Sequence, residues 1–147
     1  MMKAHRNQAG TRLGSVPSWR RYGRKQRTAA ETSLSVVIAL AVLVSGAVHL
    51  DLWLEGYRFI PLIGPLFLLN AAAALFIATA LLWPGGMLVI LLAAGFGAST
   101  LAAFLLSATV GFLGFTEALT GQFQYIAGGA EVAIVVLAGY LAVVARP

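Results

Sequence analysis

The sequence predicts an all-α integral membrane protein: an antiparallel four-helix transmembrane bundle with both termini cytoplasmic and a disordered basic N-terminal tail. Three observations predict it. Hydrophobic residues make up 60% of the 147-residue chain and charged residues only 10%, where a soluble domain carries about 25% charged residues; the mean hydropathy is +0.88. The apolar residues gather into four runs, each near the ~20 residues that cross ~30 Å of hydrocarbon. Charge is split along the chain: the first 30 residues hold eight Lys/Arg and no acid, and the remaining 117 hold two Lys/Arg and all five acids. A basic arm ahead of an apolar run stays on the cytoplasmic side of a membrane.

Residues 1–31 form the basic tail. Lys3, Arg6, Arg12, Arg20, Arg21, Arg24, Lys25 and Arg27 alternate with Gly, Ser, Gln and Pro, a composition that buries too little to fold. Basic patches also bind nucleic acid, but this cluster abuts an apolar run, where positive charge sets topology. Arg20, Arg21, Arg24, Lys25 and Arg27 are expected to contact anionic lipid, and no nucleic acid is expected. Arg20-Arg21 hints at a twin-arginine signal, but no small-residue cleavage site follows, so the first run is read as an uncleaved anchor.

Residues 32–147 form the transmembrane domain, with spans at about 33–53, 60–83, 87–111 and 126–145. Pro84-Gly85-Gly86 is a turn signal favouring an antiparallel hairpin between the second and third spans. The first connection carries Glu55 and Arg58, spaced to pair locally; the third is the longest and carries Glu117. An even number of spans returns the C-terminus to the cytoplasm, where Arg146 agrees with the charge rule. Trp53, Tyr57, Phe59, Trp83, Phe123 and Tyr125 sit at the span ends, as an interfacial aromatic belt does. Small residues mark packing faces, because helices in lipid associate by close approach. Gly95, Ser99, Ala103, Ser107 and Gly111 form such a stripe in the third span, Ala127, Gly128, Ala138 and Ala142 in the fourth, and Ala41 and Ser45 in the first.

Polar side chains within spans are costly and so mark partners or cavities. His49 shares a helical face with Ala41 and Ser45 and points inward; its role is either a hydrogen bond to a neighbouring helix or proton and ligand chemistry. Glu131 lies five residues into the fourth run, roughly 7 Å deep at 1.5 Å per residue, and must be protonated, paired or wetted there. Asn70 lies ten residues into the second, roughly 15 Å deep, able to satisfy a carbonyl freed by Pro65 or to bond across helices. With Glu117, and with Asp51 and Glu55 nearby, these residues place one imidazole and several carboxyls at an outward-facing mouth. His49, Asn70, Glu117 and Glu131 are the candidate ligand-binding residues.

No catalytic residues, metal site or cofactor are expected. The absence of cysteine excludes disulfides, thiolate catalysis and Cys-based metal centres. HExxH, phosphate-cradling glycine loops and a nucleophile elbow do not occur. The Gly111–Glu117 stretch has glycines but no preceding strand, and reads as a loop.

The segment from His49 to Pro61 (HLDLWLEGYRFIP), continuing through Gly64-Pro65-Leu66-Phe67-Leu68-Leu69-Asn70, resembles a group of small four-span membrane proteins from high-GC Gram-positive bacteria. Gly111–Glu117 is similar there too. The resemblance covers about residues 35–145 and implies a fold and a bacterial plasma-membrane setting, but no reaction. In size and span count the chain also looks loosely like the DoxX-like membrane proteins, a likeness of architecture alone.

Three functions follow in order. The first is a non-enzymatic accessory or scaffold component of the bacterial plasma membrane, whose partners are lipid and either another membrane protein or a second copy of the chain. The second is a binding or transport module for a small molecule, a proton or a metal, with an outward-facing polar cavity. The third is a small intramembrane enzyme using His49 and Glu131 as acid and base.

Overall fold

A computed structural model of the chain describes residues 27–83, 86–118 and 121–145. These form four long helices, α1 (Ala29–Glu55), α2 (Ile63–Leu82), α3 (Met87–Thr109) and α4 (Gln122–Val144). All four are long and apolar enough to cross a membrane. Of the basic tail only Arg27 and the residues after it are described. Arg20, Arg21, Arg24, Lys25, the Pro84-Gly85 turn and Arg146 lie outside the described residues.

The helix ends depart from the apolar runs for local reasons. α1 starts at Ala29, ahead of the run, because Thr28 and Glu31 cap it reciprocally: Glu31 N donates to Thr28 Oγ1 at 3.2 Å and Thr28 N to Glu31 Oε2 at 2.7 Å. Such a pair satisfies two of the N–H groups a helix start leaves orphaned. α1 ends at Gly56, whose φ of 139° no L side chain adopts readily. α2 starts at Ile63 rather than 60, because the chain first makes a short 3₁₀ turn over Tyr57–Phe59 and then passes Leu62 at φ 66°. α4 starts at Gln122, four residues ahead of its apolar run: Gln122 to Tyr125 are polar or aromatic yet helical, since hydropathy marks what faces a solvent and not which backbone bonds form.

Arg27 bonds within the protein, its Nη1 donating to Ser35 Oγ and to the Leu81 carbonyl, both at 3.0 Å. It thereby satisfies a carbonyl at the C-terminal end of α2, where a cation is favoured. Arg58 does not pair with Glu55. Once Gly56 breaks the helix the i, i+3 geometry is lost, and the Arg58 guanidinium lies 4.8 Å from the Phe59 ring centre and 5.8 Å from that of Trp53.

Packing is uneven around the bundle. α1 lies against α2 and α4, and α3 against α4, whereas α2 and α3 touch sparsely. The densely packed core lies in the half nearest the start of α1, around Ile38, Val42, Ile77, Leu81, Ile134 and Leu141. A smaller cluster of Val48, Leu52 and Ala127, backed by Tyr57, Phe67 and Phe123, lies in the distal half, toward the loops that join α1 to α2 and α3 to α4.

The closest helix approaches are not all where the small-residue stripes point. A Cβ on Gly97 would lie 2.8 Å from Ile134 Cγ2, so α3 meets α4 there; Gly46 meets Ala74 in the same way between α1 and α2. Gly95, at the head of the expected α3 stripe, faces open space. Ala138 and Ser45 are fully buried, so the α4 and α1 stripes do face the interior. The middle of the α3 stripe, Ser99, Ala103 and Ser107, instead lines a cleft.

Candidate functional site

In the distal half, where α2 and α3 stand apart, the helices enclose a cavity of about 370 Å³. That is within the range of about 300–1,000 Å³ typical of small-molecule sites. Its two long walls are α2 and α3, its back is α1 and α4, and its rim is the α3–α4 connection. Ser99, Ala103 and Ser107 form a low strip on the α3 wall, while Phe67, Phe96 and Phe104 stand around them. Small side chains make room at this level, and the rings beside them keep the helices from closing on it.

All four residues expected from the sequence to bind a ligand line this one cavity: His49, Asn70, Glu117 and Glu131. Asp51 and Glu55 do not line it, and both are exposed. No group of three or more His, Cys, Asp or Glu able to hold a metal occurs among the described residues.

Glu131 is 1% exposed. Because α4 starts at Gln122, it lies nine residues along the helix, about 13 Å from the distal end at 1.5 Å per residue, deeper than the apolar run suggested. Its Oε1 accepts a long hydrogen bond from Ser45 Oγ at 3.4 Å, and its Oε2 is buried without a partner. His49 is one turn along α1 from Ser45 and half-buried. Its Nδ1 lies 2.8 Å from the Ser45 carbonyl oxygen. A carbonyl only accepts, so Nδ1 carries the proton and Nε2 of the neutral ring is left as an acceptor. The ring meets Phe67 edge-on, with centroids 4.9 Å apart. His49 and Glu131 therefore share Ser45 as a support and make no hydrogen bond to each other.

Asn70 bonds across helices: its Nδ2 donates to Thr100 Oγ1 at 3.0 Å. Thr100 has already given its own proton to the Phe96 carbonyl at 2.8 Å, which fixes the amide orientation and leaves Asn70 Oδ1 as the buried, unpartnered atom. The seven residues from Ile63 to Asn70 put it about 10 Å from the distal end of α2, shallower than the run boundary implied.

Glu117 is held from three sides. Tyr57 Oη lies 2.9 and 3.2 Å from its two carboxyl oxygens, Gln124 Nε2 donates to Oε1 at 3.4 Å, and the backbone N–H of Glu117 donates to the Ser107 carbonyl at 2.9 Å. The loop that carries it is shaped by a two-residue turn at Leu113-Gly114, both with positive φ, closed by reciprocal backbone bonds between Phe112 and Phe115. Tyr57 stacks on Phe67 at 5.0 Å and meets Phe115 edge-on at 5.7 Å. Burial first, then the hydrogen bond and the charge of Glu117, push the Tyr57 phenol up to about 12, with the Gln124 amide acting the other way. Tyr57, expected in an outer aromatic belt, is thus turned inward as the clamp on Glu117. Phe59, Trp83 and Tyr125 do face outward.

Sequence reasoning missed Gln124, Tyr57, Thr100 and Ser45. A Gln two residues from the start of a helix resembles any loop amide, and hydroxyls in apolar runs read as small packing residues. Gln124 is 9% exposed and its Oε1 is buried without a partner. Among the described residues three buried side-chain atoms lack partners, Asn70 Oδ1, Gln124 Oε1 and Glu131 Oε2, and all three belong to residues lining this cavity. Comparison with protein-family models, curated proteins and solved structures finds no match to this chain.

Proposed function

We propose that the chain is a multi-pass protein of the bacterial plasma membrane, both termini cytoplasmic, that binds a small and largely apolar molecule in the distal cleft. The four apolar helices, the basic arm ahead of α1 and the outward-facing Phe59, Trp83 and Tyr125 support the membrane placement. Under that topology the cleft lies at the extracytoplasmic side, and the gap between α2 and α3 gives lipid-dissolved molecules a lateral way in. The basic arm, including the expected lipid contacts Arg20, Arg21, Arg24 and Lys25, holds the opposite side on anionic lipid. The resemblance to the small four-span proteins of high-GC Gram-positive bacteria belongs to the same proposal.

One observation carries the reading: every unpartnered buried polar atom among the described residues belongs to a residue that lines one cavity. An unmet buried polar group costs roughly 1–3 kcal/mol. A scaffold has no reason to collect three of them in one place, and a ligand with matching groups repays them. This is why the binding module now stands ahead of the accessory component. An acid–base enzyme draws less support, because His49 and Glu131 each bond to Ser45 rather than to one another.

Native mass spectrometry of the protein released from its own membranes tests the proposal. A small molecule retained by the parent and lost from Ala103→Phe, which fills the cleft, is the expected outcome. A parent that carries no small molecule but brings a partner chain in fixed ratio returns the accessory reading.

A further inference from the structure

We infer that the occupant of the cleft, on the reading of it as a ligand site, is one hydrocarbon chain of a bilayer phospholipid from the leaflet on the distal side, inserted between α2 and α3. The inference rests on where the cleft is open, how far its walls run and what they offer. Leu66 and Leu69 of α2 and Ser99 of α3 all line the cleft and are all exposed, so its open side is the flank between these two helices. Leu69 lies six residues from the start of α2 and Ser99 ten residues from the end of α3, about 9 and 15 Å from the distal end at 1.5 Å per residue. In a spanning bundle those depths are hydrocarbon, and the solvent at the opening is lipid chains rather than water.

The walls have the length of one leaflet. They run from Ile63 to Ala73 on α2 and from Phe96 to Ser107 on α3, about 15–17 Å of each helix, against a hydrocarbon core ~30 Å thick. Both follow the bundle axis, the direction in which lipid chains lie. Most of the wall surface is apolar, so water inside finds too few partners to stay, and wall carbons that face a void forfeit their dispersion contacts. A chain restores those contacts. Its polar end then lies at the rim beside Glu117 and Gln124, and its methyl end reaches the level of Ala73 and Phe96. A phospholipid is the chain-bearing molecule already at the opening, whereas a molecule arriving from water must pass the rim, across which Tyr57 and Gln124 are tied to Glu117.

The test uses the full chain in phosphatidylcholine nanodiscs containing a minor fraction of one of two photoreactive phosphatidylcholines, with a diazirine at the end of one chain or beside its ester. Irradiation and peptide mass spectrometry locate the label. Val132 and Leu105, exposed on outer faces at about the two depths, report ordinary boundary lipid. The chain-end probe is expected to label Ala73 and Phe96 above Val132, and the near-ester probe Leu66 and Phe104 above Leu105. Ala103→Phe, or Ser99→Phe where Ala103→Phe does not fold, should bring the chain-end label on Ala73 down to that of Val132. Cleft labelling no stronger than at the outer residues, or unchanged in the folded variants, overturns the lipid chain. Native mass spectrometry then separates the two proposals: a retained non-lipid molecule lost in Ala103→Phe keeps the cleft a ligand site, and no retained molecule overturns both. Stronger cleft labelling by a free fatty acid with the same chain-end group, at equal amount in the membrane, overturns the phospholipid in favour of a single-chain amphiphile.

Discussion

Two glycines two residues apart in α3 are expected to respond in opposite directions to the same substitution. In Gly97→Ala the new Cβ falls 2.8 Å from Ile134 Cγ2, 3.0 Å from Ile134 Cβ and 3.2 Å from the Glu131 carbonyl oxygen. Comfortable carbon–carbon contact begins near 3.5 Å, so about 0.7 Å of separation is missing. Ile134 is fully buried and β-branched, hence stiff at χ1, and the α3–α4 interface must open to accept the methyl. Overpacking of this kind costs roughly 1–3 kcal/mol. The better helix propensity of Ala offsets up to about 1 kcal/mol of that, leaving a net loss of about 1 kcal/mol. In Gly95→Ala nothing lies within 4 Å of the added carbon, and only the propensity gain of roughly 0.5–1 kcal/mol acts. Titration of the detergent-solubilised protein with dodecyl sulfate, followed by far-ultraviolet circular dichroism, measures both. The two variants should differ by about 2 kcal/mol with Gly97→Ala the weaker. The Gly97→Ala loss should also shrink in an Ile134→Ala background, because neighbours in contact are not additive. A Gly95→Ala variant that loses as much as Gly97→Ala would refute the packing described for α3.

Tyr57 should ionise late. Its folded value of about 12 lies above the ordinary phenol near 10, so the stabilisation from the neutral group is whole below pH about 10 and is lost as pH rises toward 12. Tyrosinate absorbance at high pH should show a late step that Tyr57→Phe removes; a parent with no such late step contradicts the Glu117 clamp. Leu113→Asn should stabilise the rim turn by about 1 kcal/mol, because Leu113 sits at φ 50°, where a non-Gly residue is strained and an Asn-Gly pair is preferred; an unchanged or lower melting temperature counts against the turn as described. Gly64→Ala should cost roughly 1–3 kcal/mol, since its Cβ would lie 2.7 Å from the Arg58 carbonyl oxygen and backbone does not swing aside; a silent substitution on thermal melting shows that the turn does not rest on α2.

The sequence by itself determined four apolar helices and their approximate limits, because hydropathy and length are properties of a segment read alone. It also picked out His49, Asn70, Glu117 and Glu131, since an ionisable or amide side chain in an apolar run stands out without any knowledge of its neighbours. The tertiary structure alone decided that these four share one cavity. It decided too that Ser99, Ala103 and Ser107 of the stripe border a gap while Gly97, not a member of the stripe, carries the helix contact. A four-residue period says which residues share a face, but what that face meets depends on rotation about the helix axis, and that is fixed by partners such as Ile134 on another helix. Likewise Tyr57 and Gln124 look like interface residues in the chain. They become part of the site only because the connections at the distal end bring them onto Glu117, and which oxygens are left unmet there is a property of the whole hydrogen-bond network.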